Sequence, residues 1–318
     1  MNCKSIILLI VVLLFWGNAE ARKKKGKKVE EVQTESAYRK FFKGKACETA
    51  KGMITLHKMD GRVYFEIPLA LMGREMLMGS TISEITNNGF GSVGEKPKGL
   101  LYISFVRCDS VISLKQLTAQ YDTNEENLKQ RIKESTIPAT IKNFKITTYN
   151  EDSTAVVIDM TDYLVSADEA IDPFSPWAPI LAGGERVMEK EFRRENSQVV
   201  SIKAFEDNVS VKSSLTYGLS LKNKVMYIFQ REPFTAVMTR SFILLPEHPM
   251  RPRLADPRIA IFSQGVSVFN GDSRGAQARY YAQRWNLEPK DMEQYRKGVL
   301  TEPKKPIVFY VDNTFPEN

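Results

Sequence analysis

Between residues 52 and 245 the sequence is a succession of short apolar runs closed by turn signals, and this pattern limits the chain to a β-rich fold. The clearest unit is 52–68. Met53-Ile54-Thr55-Leu56-His57 and Val63-Tyr64-Phe65-Glu66-Ile67 flank Lys58-Met59-Asp60-Gly61. Asp-Gly supplies the two positive-φ positions that a tight hairpin turn needs, and Pro68 ends the second strand. Further strands are expected at 76–85, across 99–117 with a break at Arg107-Cys108-Asp109-Ser110, at 139–149 and at 154–160. Short runs at 198–205, 209–217, 224–230 and 235–245 complete the set. Consecutive short strands joined by turns point to a twisted antiparallel sheet, a sandwich or an open barrel rather than βαβ units. No internal repeat of fixed period is present. The fold class expected is α+β, mainly antiparallel β-sheet with a few short helices.

The helices expected are 31–43, 122–135 and 186–192. The second carries the strongest signals. Asp122 or Thr123 stands at its start, Glu125 and Glu126 in its first turn, and Lys129, Arg131 and Lys133 toward its end, as the helix dipole favours. Leu128 and Ile132 fall on one face and are expected to be its buried side. The glycine-rich run 87–94 has neither a GxxxxGK[ST] pattern nor a following helix, so it reads as a loop and not as a phosphate cradle. Residues 168–179 hold three prolines and read as an irregular surface loop.

Lys4, the unbroken apolar run 6–16 and the small-x-small triplet Ala19-Glu20-Ala21 form the three parts of a secretory signal peptide, 1–21. The apolar run is shorter than the ~18 residues that a membrane span needs, so an N-terminal anchor is the weaker reading. Export to the periplasm, the cell surface or the medium is expected, with no transmembrane segment after cleavage. The net charge of +7 is concentrated in the tail, since Arg-Lys-Lys-Lys-Gly-Lys-Lys at 22–28 holds six of those charges. A short block of like charge is a solvated segment. Residues 22–33 are therefore read as a basic disordered tail, and no nucleic-acid partner is expected.

Cys47 and Cys108 remain after processing. An even count in an exported chain permits a disulfide between them; two buried free thiols is the other reading. The usual catalytic signatures are missing. The chain has two histidines, His57 in a strand and His248 in a loop, and no HExxH, CxxC or GxSxG. Distant Asp/Glu pairs could serve glycoside chemistry, but nothing in the sequence singles out a pair. No catalytic or metal-ligating residue is assigned.

The strip 249–269 then stands out. Arg251, Arg253 and Arg258 alternate with Pro252 and Pro257, which hold the backbone extended, and Asp256 lies among them. Two readings are open: an extended crossover whose arginines pair with carboxylates of the sheet, or a docking strip for another domain, to which planar bidentate guanidinium groups are suited. Downstream, 307–311 (Ile-Val-Phe-Tyr-Val) is an apolar run of buried-strand type, which needs sheet partners from the body or from another domain.

The succession Met250-Arg251-Pro252-Arg253-Leu254-Ala255-Asp256-Pro257-Arg258-Ile259, then Arg279-Tyr280-Tyr281-Ala282-Gln283-Arg284-Trp285-Asn286-Leu287-Glu288-Pro289, then Lys305-Pro306-Ile307-Val308-Phe309-Tyr310-Val311-Asp312 resembles the large exported zinc-dependent metallopeptidases of Bacteroidota, of the metzincin type. Residues 38–51, 60–68 and 150–159 are similar to the two N-terminal domains of unknown function in that family. The resemblance covers almost all of the chain after residue 22. Ala260 departs from it, standing where glycine is expected. The resemblance implies that a catalytic domain opens with a strand like 306–312 and carries its zinc helix, HExxHxxGxxH, further on. No position here matches that helix, so no catalytic residue is carried over. No cofactor is expected in this chain, zinc being expected only in the absent catalytic domain.

The expected organisation is therefore a signal peptide (1–21), a basic tail (22–33), a small N-terminal module (34–97), a β-rich accessory domain (98–300), and a linker with the first strand of an absent metallopeptidase domain (301–318). The expected function is a non-catalytic accessory region, truncated before the zinc helix, that scaffolds or covers the protease domain and docks to it near Arg251, Arg253, Asp256 and Arg258. The alternative is a free-standing envelope module that binds peptide or glycan through its sheet edge and exposed aromatics around Phe174 and Trp177.

Overall fold

The structure, a computed structural model, describes residues 35–175, 186–223, 228–271 and 275–311. The expected signal peptide and the whole basic tail lie outside them, as does Trp177. The elements in chain order are α1 (Ala37–Phe42), β1 (Glu48–Ala50), β2 (Thr55–Met59), β3 (Arg62–Pro68), β4 (Met76–Ile85), β5 (Leu101–Cys108), β6 (Val111–Gln116), β7 (Tyr121–Asp122), α2 (Glu126–Ser135), β8 (Ala139–Tyr149), β9 (Ala155–Asp159), α3 (Thr161–Leu164), β10 (Arg186–Phe192), β11 (Gln198–Ala204), β12 (Asn208–Asn223), β13 (Ile228–Leu244), β14 (Ser263–Val268), β15 (Gln277–Ala282) and α4 (Met292–Arg296).

One large antiparallel sheet runs β1-β2-β3-β9-β8-β6-β5-β4-β13-β12-β10, with β11 also pairing β12. Strands from the two expected modules alternate in it: β3 pairs β9, and β4 lies between β5 and β13. β11 returns to the far end of the sheet. There the Met53 amide donates to the Phe205 carbonyl at 2.8 Å and Lys58 Nζ donates to the Val200 carbonyl at 2.6 Å. The sheet is thus nearly closed, like a barrel. The closure depends on Gly52, where a Cβ would sit 2.4 Å from the Phe205 carbonyl oxygen. The Asp60-Gly61 turn joins β2 to β3 as expected, with φ of 53° and 72°.

Inward side chains fill the interior. Phe65, Phe105 and Phe242, from β3, β5 and β13, are fully buried and meet ring to ring. These strands are not neighbours in the sheet, so their contact crosses the interior.

Several expectations need correction. The short strands expected at 209–217, 224–230 and 235–245 are parts of two long ones, β12 of 16 residues and β13 of 17 residues, paired along their length. Pro233 lies within β13 and is tolerated because β4 pairs β13 only from Ala236 onward, so proline's missing N–H lies where β13 has no second neighbour. The helix expected at 186–192 is strand β10, paired with β12. Its period is two: Met188 and Phe192 pack on the core, and Lys190 between them reaches buried Asp172.

The supposed surface loop at 168–179 is, as far as it is described, part of the interior. Ile171, Asp172 and Phe174 are buried, and the Phe174 ring lies 5.1 Å from Tyr217 and 5.2 Å from Phe234. Phe174 is therefore not an exposed aromatic. The helix expected from 122 begins at Glu126, because Asp122 is drawn into β7 beside Val268. None of its residues is buried, and Leu128 and Ile132 instead line a cleft with Tyr121 and Phe269. Among the described residues no helix is long and apolar enough to cross a membrane.

Candidate docking surface

A second, three-stranded sheet carries the arginine–proline strip. β14 pairs β15 antiparallel and β7 parallel. The strip runs along the other edge of β15. Leu254 bridges Tyr281, the Ala255 amide donates to the Tyr280 carbonyl, and the Ala282 amide donates to the Arg253 carbonyl, each of the last two at 2.8 Å. Pro252 cannot donate at all, which suits an edge. The Arg284 guanidinium donates to the Arg251 carbonyl at 2.8 Å and ties the strip to the segment after β15.

The four residues singled out in the sequence separate into two kinds. Arg258 and Asp256 satisfy each other: Nη2 lies 2.6 Å from Oδ2, Nε lies 2.9 Å from Oδ1, and the Arg258 amide also donates to Oδ1. Arg258 holds the Asp256 carboxyl below the usual carboxylate range. This exposed pair shapes the local turn. Arg251 and Arg253 have no carboxylate partner among the described residues and line a groove of about 1260 Å³ with Leu254, Arg284, Trp285 and Tyr295. The reading in which the strip's arginines pair with carboxylates of the sheet is not met.

The surface around this groove is unusually apolar. Phe262, Trp285, Leu287, Tyr295 and Leu300 are exposed, Leu300 almost completely. The run 307–311 forms no strand among the described residues, and its side chains face solvent, Phe309 at 77% and Tyr310 at 94% exposure. Trp285, with its ring 6.2 Å from that of Phe309, is its one aromatic contact among the described residues. Exposed apolar runs can template strand pairing, and large apolar patches are a common mark of interaction sites.

The two cysteines are free thiols, Cys47 half-buried before β1 and Cys108 exposed at the end of β5. Five strands of the sheet order lie between β1 and β5, which keeps these ends apart. His57 is buried in β2. Its Nε2 lies 2.9 Å from Glu66 Oε2, which also accepts from the Tyr38 hydroxyl at 2.7 Å. The hydrogen bond from His57 holds the Glu66 carboxyl below its ordinary value; burial opposes this and the Tyr38 hydroxyl adds to it.

Because the folded value lies below the unfolded one of about 4.3, this pairing stabilises the fold above pH 4.3 and its contribution is lost as pH falls through the folded value. Glu66→Gln should cost about 1.5 kcal/mol at pH 7, the low end for hydrogen bonds to a charged group. Urea midpoints of variant and wild type should converge below pH 4. A gap that persists unchanged at pH 3 would show that the carboxylate charge is not what matters.

Among the described residues no three His, Cys, Asp or Glu side chains converge as metal ligands. Cys47 and Glu66 lie on opposite edges of the His57 ring, so they do not face one ion.

These features define a β-rich protein with a nearly closed antiparallel sheet and an uncovered apolar surface after β13. Residues 95–290 match the family described as Domain of unknown function (DUF5117), and residues 35–85 match Domain of unknown function (DUF5118). The chain belongs to the DUF5117 family, with a DUF5118 region before it. No curated protein and no solved structure matches the chain.

Proposed function

We propose that this chain is a non-catalytic accessory region that scaffolds or covers the catalytic domain of an exported zinc metallopeptidase of the metzincin type, as its resemblance to the Bacteroidota enzymes suggests. The observation that carries the reading is the run 307–311, apolar, exposed and without a sheet partner among the described residues, with exposed Trp285 against Phe309. Strand addition to a neighbouring sheet would bury that run and satisfy its backbone. The guanidinium groups of Arg251 and Arg253, without a carboxylate partner among the described residues, line the groove that Trp285 shares and suit an acidic face on the catalytic domain.

The second reading, an envelope module binding peptide or glycan, loses Phe174, which is buried. It keeps a different foothold in the groove, where Trp285 and Tyr295 accompany Arg251 and Arg284.

The test is an immunoblot of the source cell with an antibody raised to residues 100–240, followed by a peptidase assay on the immunoprecipitate. The expected result is a product that is much larger than 36.2 kDa, or stably bound to such a polypeptide, with chelator-sensitive peptidase activity. A product at or below 36.2 kDa with no associated peptidase overturns the proposal and leaves the binding module in its place.

A further inference from the structure

The hairpin β2–β3, the short strand β1 and α1 build a second constellation, away from the apolar surface. β1 pairs β2 with Thr49 opposite His57. Cys47, two residues before Thr49, emerges on the same face by the strand's period of two. Its Sγ lies 3.8 Å from His57 Nδ1 and 3.6 Å from Thr49 Oγ1, and Thr49 Oγ1 lies 3.1 Å from the same ring nitrogen. The imidazole beneath is fixed from three sides. Glu66 holds Nε2, the Phe42 ring lies 4.6 Å from the imidazole ring, and the Tyr38 hydroxyl donates to the same carboxylate oxygen.

The carboxylate can only accept, so Nε2 donates to it, and in the neutral imidazole this tautomer turns the lone pair of Nδ1 toward Cys47 and Thr49. A thiol, a base within its reach and a carboxylate that orients the base are the parts of an assisted nucleophile. Cys108 is the natural contrast. It is more exposed, yet His57 lies beside Cys47 and the other histidine, His248, lines the groove by the arginine strip.

We propose that Cys47 is a reactive thiol assisted by His57, and that it is a site of thiol–disulfide exchange with small-molecule disulfides of the glutathione or cystine class. In the step, Cys47 Sγ attacks one sulfur of the small disulfide as its proton passes to His57 Nδ1. A new S–S bond joins Cys47 to that half, the original S–S bond breaks, and the other half leaves as a thiolate that takes the proton back. The Cys47 sulfur rises from the thiol to the disulfide level as the leaving sulfur falls from the disulfide to the thiol level, so the step needs no outside oxidant. Exchange asks only for an open approach to sulfur. Cys47 has it, since Thr49 and the residues on either side of the thiol are exposed.

The test uses the full chain as Cys108→Ser, which retains Cys47, and as Cys47→Ser, which retains Cys108. Each is treated with oxidised glutathione at pH 7, and the mixed disulfide is followed by intact mass. Cys47 should react at least about tenfold faster than Cys108, a modest share of what a positioned base contributes. In the Cys108→Ser background, His57→Gln should bring Cys47 down to the rate of Cys108. Equal or slower reaction of Cys47 overturns the proposal without any change at a buried position. So does a His57→Gln protein that unfolds at the wild-type urea midpoint and keeps the full rate.

Discussion

Phe242→Ala is expected to lower the stability of the fold by about 3–5 kcal/mol, the largest effect of any substitution considered for this protein. Its ring is fully buried, 5.3 Å from Phe65 in an edge-to-face contact and 6.2 Å from Phe105. Truncation leaves a cavity where three strands meet across the interior, and little can move in to fill it, because the surrounding positions lie on hydrogen-bonded strands. The informative comparison is Phe309→Ala, which removes the same atoms from a side chain that is 77% exposed. It should change stability by less than about 0.5 kcal/mol, as surface substitutions do.

Denaturant unfolding of the two variants checks both values. The contrast bears directly on function. If Phe309 supports the fold as much as Phe242 does, the run 307–311 belongs to the body of this protein and is not held in reserve for a partner. If it supports nothing, its conspicuous apolar character must be explained by something that covers it, which is the premise of the docking proposal.

The β-sheet was legible in the sequence where the signals were local. Asp60-Gly61 reported a hairpin because two positive-φ residues in succession have few other uses, and the bounds of β4 and β8 followed from apolar patterning alone. Patterning failed where a long-range partner decided the matter. Arg186–Phe192 is charged enough to resemble a helix, but Lys190 points inward to Asp172, a residue the sequence places in a proline-rich loop.

The candidate surface was half legible. Proline and arginine marked the strip, but that Arg258 is taken up by Asp256 while Arg251 and Arg253 are not depends on side-chain geometry. Cys47 and His57 were each noticed separately. Their meeting depends on the register of β1 on β2, and a three-residue strand leaves almost no trace in sequence.

Asp172→Asn should destabilise the protein by about 3 kcal/mol, although it removes no volume and keeps the oxygen that accepts from the Phe174 amide. Asp172 is buried, and its two oxygens divide between Lys98 at 3.0 Å and Lys190 at 2.7 Å. Beside it, the fully buried Arg240 donates to the Ile171 carbonyl at 3.0 Å. Burial pulls the Arg240 guanidinium down to about 10, with Tyr217, Tyr163 and Asp172 opposing that fall. One carboxylate therefore pairs two cations and lies near a third, and an amide in its place leaves Lys98 and Lys190 without their partner.

Breaking a buried ion pair by removing one partner costs about 3–5 kcal/mol. The low end applies because the ammonium groups of Lys98 and Lys190 keep some access to water. A double-mutant cycle separates charge from packing. Lys190→Met should cost less than Asp172→Asn, since it removes a cation from a cluster with too many. In the Asp172→Asn background it should recover part of the loss, because the stranded ammonium is gone. If the two substitutions instead add without coupling, the interior is held by the fit of 171–174 against Tyr217 and Phe234 alone, and the ion cluster is incidental to it.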